Sequence, residues 1–190
     1  MNKFCDPYCE DDMKKDVSAI NSNNLDTLTQ IANRQKFDVM FTAAINKAKT
    51  TVCYLSILMI EIDYFRNRYD NDGQLSGDDC LRLIAFTLKD TLKRSGDLVA
   101  RWSDEKFACI LSDTDPAGAV EMAEKIRTKV LGLAIPNSAS TIAEAVTVSI
   151  GVVTSILTDE TSYDTLLKKA ELALSTAKEL GRNQIVVSTN

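Results

Sequence analysis

From Leu25 onward the apolar residues fall into two periods. Phe37, Met40, Phe41, Ala44, Ile45 and Ala48 recur at helical spacing, whereas Val52 to Ile62 is an almost unbroken apolar run of strand length. Such a run predicts a strand covered on both faces. Asn71-Asp72-Gly73 is a turn signal, and Leu81, Ile84, Ala85, Leu88 and Leu92 mark an amphipathic helix closed by Ser95-Gly96. Leu98-Val99-Ala100 and Ala108-Cys109-Ile110-Leu111 predict two strands around a tight charged turn. Asp115-Pro116 then starts a helix, with proline at its first position and Val120, Ala123, Ile126 and Val130 on its inner face. Residues 132–145 read as a loop, and Val146 to Val153 as a strand with Gly151 inside it. Leu166, Leu167, Ala170, Ala173, Leu174 and Ala177 give the last helix, capped by Gly181, before a short strand over Ile185 to Val187. Residues 1–24 are polar and Asn-rich, which predicts a tail or linker with a short helix around Met13 to Ile20. Helices interspersed with hairpin strands imply an α+β domain over residues 25–190.

Composition narrows the chemistry. The chain has 190 residues, 45% of them hydrophobic, enough for one sizeable core. Its net charge of -5 argues against a nucleic-acid partner. Histidine is absent, so imidazole bases and His-held metals are excluded, and a metal here would need carboxylates and carbonyls, a donor set suited to Mg²⁺. The five cysteines (Cys5, Cys9, Cys53, Cys80 and Cys109) are odd in number and form no C-x-x-C. Cys53 and Cys109 fall in predicted strands as small core residues. No signal peptide or membrane span is visible, so the expectation is a reducing cytoplasm without membrane insertion.

Several motifs then occur in a fixed order. Asp26-Thr27-Leu28-Thr29 precedes Asn33-Arg34 and Phe37, and Glu61-Ile62-Asp63-Tyr64-Phe65-Arg66 ends the first strand. Asp70, Gly73, Gly77 and Asp78 follow, then Arg101-Trp102-Ser103-Asp104-Glu105-Lys106-Phe107. Thr147-Val148-Ser149-Ile150-Gly151-Val152 lies in the later strand, and Ala170-Glu171-Leu172-Ala173-Leu174, Ala177-Lys178 and Gly181-Arg182-Asn183 come last. This series resembles the GGDEF domain of diguanylate cyclases across roughly residues 25–188. The signature is degenerate: Arg101, Trp102 and Phe107 match at the family spacing, but the four positions between them read Ser-Asp-Glu-Lys. The resemblance implies a central, mainly antiparallel sheet flanked by helices, palm-like with a ferredoxin-like core. In active members two GTP-loaded domains face each other in a homodimer, and Mg²⁺ assists attack on the α-phosphate.

Carried over by position, the resemblance implies metal ligands at Glu61, the Ile62 carbonyl and Glu105, with Mg²⁺ expected only if a nucleotide binds. Asp63 belongs to the same inherited acidic strand end. Lys178 and Arg182 would contact phosphates, and Asp78 the guanine edge. Tyr69 stands where an asparagine usually bonds guanine, and Gln74 replaces a histidine. Ser103 and Asp104 replace the glycine pair that turns sharply beneath the nucleotide. Glu105 reads as a vestigial catalytic carboxylate and Lys106 as the substituted acidic position. A signature slipped by one, with Asp104-Glu105 as the acidic pair, would need a bulge. Arg94-Ser95-Gly96-Asp97 matches R-x-x-D, the inhibitory site for cyclic di-GMP (c-di-GMP), where a guanidinium fork and a carboxylate read the guanine edges.

Three functions compete. The favoured one is a catalytically inactive GGDEF-like domain that binds c-di-GMP through Arg94 and Asp97 and acts on a protein partner or homodimer. The others are a ligand-free interaction module and an atypical cyclase that binds GTP and uses Glu61, Asp104 or Glu105.

Overall fold

The computed structural model describes residues 24–65, 76–158 and 161–188. The expected helix at Met13 to Ile20 and turn at Asn71-Asp72-Gly73 lie outside them.

Helix α1 (Arg34–Thr51) begins where the Asn33 side chain accepts a hydrogen bond from the Lys36 N–H. It ends at Val52, whose left-handed φ of 51° closes the last turn. Strand β1 (Tyr54–Ile62) therefore starts two residues later than the apolar run suggests. Val52 is exposed and Cys53 sits partly exposed in the connection, not in a strand core as expected. Cys109 is fully buried, as expected. Helix α2 (Gly77–Thr91) is capped by Ser76. It ends at Thr91, so Ser95-Gly96 belongs to the following turn and does not cap the helix. Strands β2 (Leu98–Arg101) and β3 (Lys106–Ser112) form the hairpin. Asp115 caps α3 (Pro116–Gly132) by accepting from the Gly118 N–H, with Pro116 in the first turn. Strand β4 (Val148–Ile156), α4 (Tyr163–Glu179) and β5 (Ile185–Val187) complete the chain.

The sheet order is β2-β3-β1-β4-β5. All pairs are antiparallel except β4 with β5. The central β1 explains the apolar run. Leu58, Ile60 and Ile62 face one cluster, with Ile84 and Leu88 of α2 and Ala123, Ile126 and Val130 of α3. Leu55, Ile57 and Met59 face the other, with Phe37, Phe41 and Ile45 of α1 and Leu166, Ala170 and Leu174 of α4. A strand covered on both faces has no polar side to alternate with. Gly151 lets α4 approach β4: a Cβ there would stand 2.3 Å from the Ala170 carbonyl oxygen and 2.4 Å from the Leu174 nitrogen. Among the described residues, no helix is long and apolar enough to cross a membrane.

Candidate functional site

Two places gather the polar side chains that the motifs single out, at opposite ends of the β2–β3 hairpin. The first is the C-terminal end of β1. There the ladder sets Glu61 opposite Lys106 on β3, and Arg101 opposite Phe107 within the hairpin. This register is continuous, so Lys106 and not Glu105 faces Glu61, and the slipped signature is not adopted. The Glu61 side chain is only 8% exposed. Its Oε1 accepts from Lys178 Nζ of α4, and its Oε2 lies 3.3 Å from Lys106 Nζ. One buried carboxylate thus holds two ammonium groups, each about one-third exposed, at 34% for Lys106 and 33% for Lys178. Beside it, the Ile62 N–H donates to the Glu105 carbonyl oxygen at 3.1 Å, tying the turn to β1.

Asp63 is not a free acid at this strand end. Its carboxylate accepts from the Thr147 and Ser149 hydroxyls, each at 2.7 Å, and from the Asn183 N–H at 3.1 Å. The residue is 2% exposed, and its role is to clasp β1, β4 and the turn after α4 together. Sequence reading grouped it with the metal ligands. The alternating Thr147 and Ser149 hydroxyls on one face of a neighbouring strand were the available clue. Arg182 partners Tyr64. Its guanidinium carbon lies 4.5 Å from the Tyr64 ring centroid, and its Nη1 donates to the Tyr64 hydroxyl at 3.3 Å. Lys178 and Arg182, expected side by side on phosphates, therefore have separate partners. Asp78 is exposed in the first turn of α2, while Tyr69, Asp70, Gly73 and Gln74 lie outside the described residues.

The turn between β2 and β3 closes without glycine. The Trp102 and Ser103 N–H groups both donate to the Lys106 carbonyl oxygen, at 2.8 and 3.2 Å. Neither Ser103 nor Asp104 has a positive φ, so the missing glycine pair leaves no backbone strain here. Both are exposed. Arg101 anchors the turn from behind: Nη2 donates to the Asp104 carbonyl oxygen at 3.1 Å, and Nη1 pairs with Asp26 at 3.1 Å. Trp102 is a packing residue, edge-on to Phe37 at 5.3 Å and covered by the Arg34 guanidinium at 4.0 Å.

The second place is the turn leading into β2. The Asp97 N–H donates to the Arg94 carbonyl oxygen at 3.1 Å, which folds the Arg94-Ser95-Gly96-Asp97 stretch so that both side chains line one recess of about 130 Å³, with Thr114, Gly118 and Lys125. Arg94 is exposed and spends one donor on the Thr114 hydroxyl at 3.3 Å. Asp97 is half-buried and accepts from the Ser112 N–H at 3.3 Å. Burial pushes its carboxyl above the usual range, against the opposing pull of the Ser112 hydrogen bond and the Arg94 charge.

The chain from residue 23 to residue 184 matches the model of the diguanylate cyclase GGDEF domain. It belongs to the GGDEF family. Diguanylate cyclase A of Treponema denticola is 38% identical over 136 residues, which is 72% of this chain and 36% of that protein. The response regulator PleD of Caulobacter vibrioides is 34% identical over 166 residues, 85% of this chain and 35% of its own. This GGDEF domain thus spans about a third of the length of the curated relatives it matches. Among solved structures, the GGDEF domain of DgcB from Caulobacter crescentus in complex with c-di-GMP superposes with a TM-score of 0.78 at 26% identity, covering 88% of this chain and 94% of that one. The active GGEEF domain of a Vibrio cholerae diguanylate cyclase gives 0.75 at 25% identity, covering 85% and 99%.

GGDEF cyclases use Mg²⁺, so the fit of Glu61, Ile62 and Glu105 to such an ion matters. Both oxygens of the Glu61 carboxylate are turned to ammonium groups. Among the described residues, no three acidic, histidine or cysteine side chains converge as a metal set would. Mg²⁺ demands several oxygen ligands in near-ideal octahedral geometry, and a cation beside two ammonium groups is repelled. Among the described residues, the donors at Glu61, Ile62 and Glu105 do not form a set that fits a divalent ion.

Proposed function

We propose that this GGDEF domain is a catalytically inactive receptor for c-di-GMP that binds the dinucleotide through Arg94 and Asp97. The observation carrying the reading is that these two side chains, one exposed and one half-buried, line one recess, a guanidinium and a carboxylate on a folded turn. A guanidinium has five donors, and one bond to Thr114 leaves its fork available for the O6 and N7 edge of guanine. The Asp97 carboxylate can accept from the opposite donor edge of the same base. Likeness to the DgcB domain, solved with c-di-GMP, supports a fold compatible with that ligand.

Loss of cyclase activity follows on the same reading from the other end of the hairpin, where Lys106 stands across from Glu61. A protein contact transmits the bound state. Leu83 and Phe86, 40% and 70% exposed, lie one turn apart on α2, the helix that runs into the Arg94 turn. The diguanylate cyclase SiaD, a structural relative at TM-score 0.77 and 27% identity, was solved with a protein activator, SiaC.

The test is calorimetric titration with c-di-GMP. The wild-type domain should bind at micromolar or tighter Kd, and Arg94→Ala should weaken binding at least tenfold. Absence of binding to the wild type would replace this reading with a ligand-free interaction module. Incubation with GTP and Mg²⁺ should yield no c-di-GMP, and a product lost in Glu105→Ala would instead make the domain an atypical cyclase.

A further inference from the structure

We propose that Lys106 is the resident cation of the Glu61 site, and that the Glu61–Lys106–Lys178 cluster is a subsite for phosphoryl oxygens that works without a divalent metal. This is independent of the c-di-GMP reading, which concerns the other end of the hairpin.

The geometry is that of a charge-inverted metal site. Glu61 is buried at the end of the central strand, and its two oxygens are divided between two ammonium groups that arrive from different elements, β3 and α4. A buried carboxylate needs a counter-charge, and here the chain supplies it. The three groups together carry a net positive charge. Each ammonium has three donors. With one committed to Glu61, each one-third-exposed lysine keeps others for an oxyanion at the surface. Glu61 also holds the two lysines side by side, which removes part of the ordering cost when an anion binds. The other acid of the strand end, Asp63, is fully committed to Thr147, Ser149 and Asn183 and does not compete for them. The turn that leads into Lys106 closes without a positive φ at Ser103 or Asp104.

Two probes test the inference on the same protein. Mn²⁺, followed by electron paramagnetic resonance, should show no site of submillimolar affinity on the wild type. Lys106→Glu should create one at least tenfold tighter, which a second change, Glu61→Gln, removes. GTP, titrated once in EDTA and once in Mg²⁺, should bind with Kd values within threefold of each other, and Lys106→Ala should weaken the EDTA affinity at least tenfold while leaving the melting temperature within a few degrees. A wild-type Mn²⁺ site abolished by Glu61→Gln would overturn the proposal. So would GTP binding that needs Mg²⁺ by tenfold or more, or no GTP binding in either buffer. Unchanged c-di-GMP affinity in Lys106→Ala would keep the outcome separate from that of the Arg94 site.

Discussion

Asp26 and Arg101 show how single residues hold the hairpin in place. They lie 75 positions apart, yet Arg101 Nη1 meets both oxygens of the Asp26 carboxylate, at 3.1 and 3.3 Å. Burial alone would raise the Asp26 carboxyl, but the Thr29 hydroxyl and N–H and the Arg101 guanidinium outweigh it and hold it below the usual range. A folded-state pKa below the unfolded value contributes stability that is present above the unfolded pKa of about 3.9 and lost as pH falls through the folded pKa. Asp26→Asn should therefore cost about 1–2 kcal/mol at neutral pH, with the gap to wild type closing below pH 4, as read from urea denaturation across pH. At this scale the sequence was partly legible. Asp26, Arg101 and Arg94 stood out by position in their motifs. That Asp63 clasps three segments, and that Lys106 neutralises Glu61, depended on which strands become neighbours, and spacing along one segment carries no such information.

At the scale of elements, helix and strand periods located every described helix and strand to within a few residues. Errors arose at boundaries set by backbone geometry. Val52 adopts a left-handed conformation that shifts the start of β1, and Ser95-Gly96 serves a turn that follows α2 instead of ending it. The glycine pair missing from the hairpin had implied a turn that serine and aspartate would strain. The observed turn needs no positive φ, so those substitutions act through the Cβ atoms and charge they present, not through the backbone. Gly151, in contrast, is required by contact. Gly151→Ala would press a methyl group against the α4 backbone at Ala170 and Leu174, neither of which can rotate away. It should destabilise the fold by at least about 2 kcal/mol in urea denaturation, with an unchanged m-value if α4 stays docked.

Among the described residues the molecule is one five-stranded sheet with helices on both faces, matching GGDEF structures. The Arg94 turn and the Glu61 cluster occupy opposite ends of one hairpin, and on the proposed reading a ligand that orders the Arg94 turn should stabilise the entire cooperative unit. At a c-di-GMP concentration 100 times its Kd, binding adds about 2.7 kcal/mol. For a domain of this size the melting temperature should rise by roughly 5–10 °C. Differential scanning calorimetry would show it, and the Arg94→Ala protein should show no comparable rise. A rise that persists in Arg94→Ala would move the dinucleotide to another surface.

The strand order has a consequence for how the chain is made. Strand β1 lies at the centre of the sheet, yet its partners β3 and β4 both come later in sequence, and the β1–β4 ladder joins Tyr54 to Ile156. At about 5–20 residues per second, the ribosome needs on the order of 5–20 s to supply that last partner. Until then the apolar Tyr54–Ile62 strand lacks its β4 neighbour and keeps one edge unpaired, a state open to aggregation.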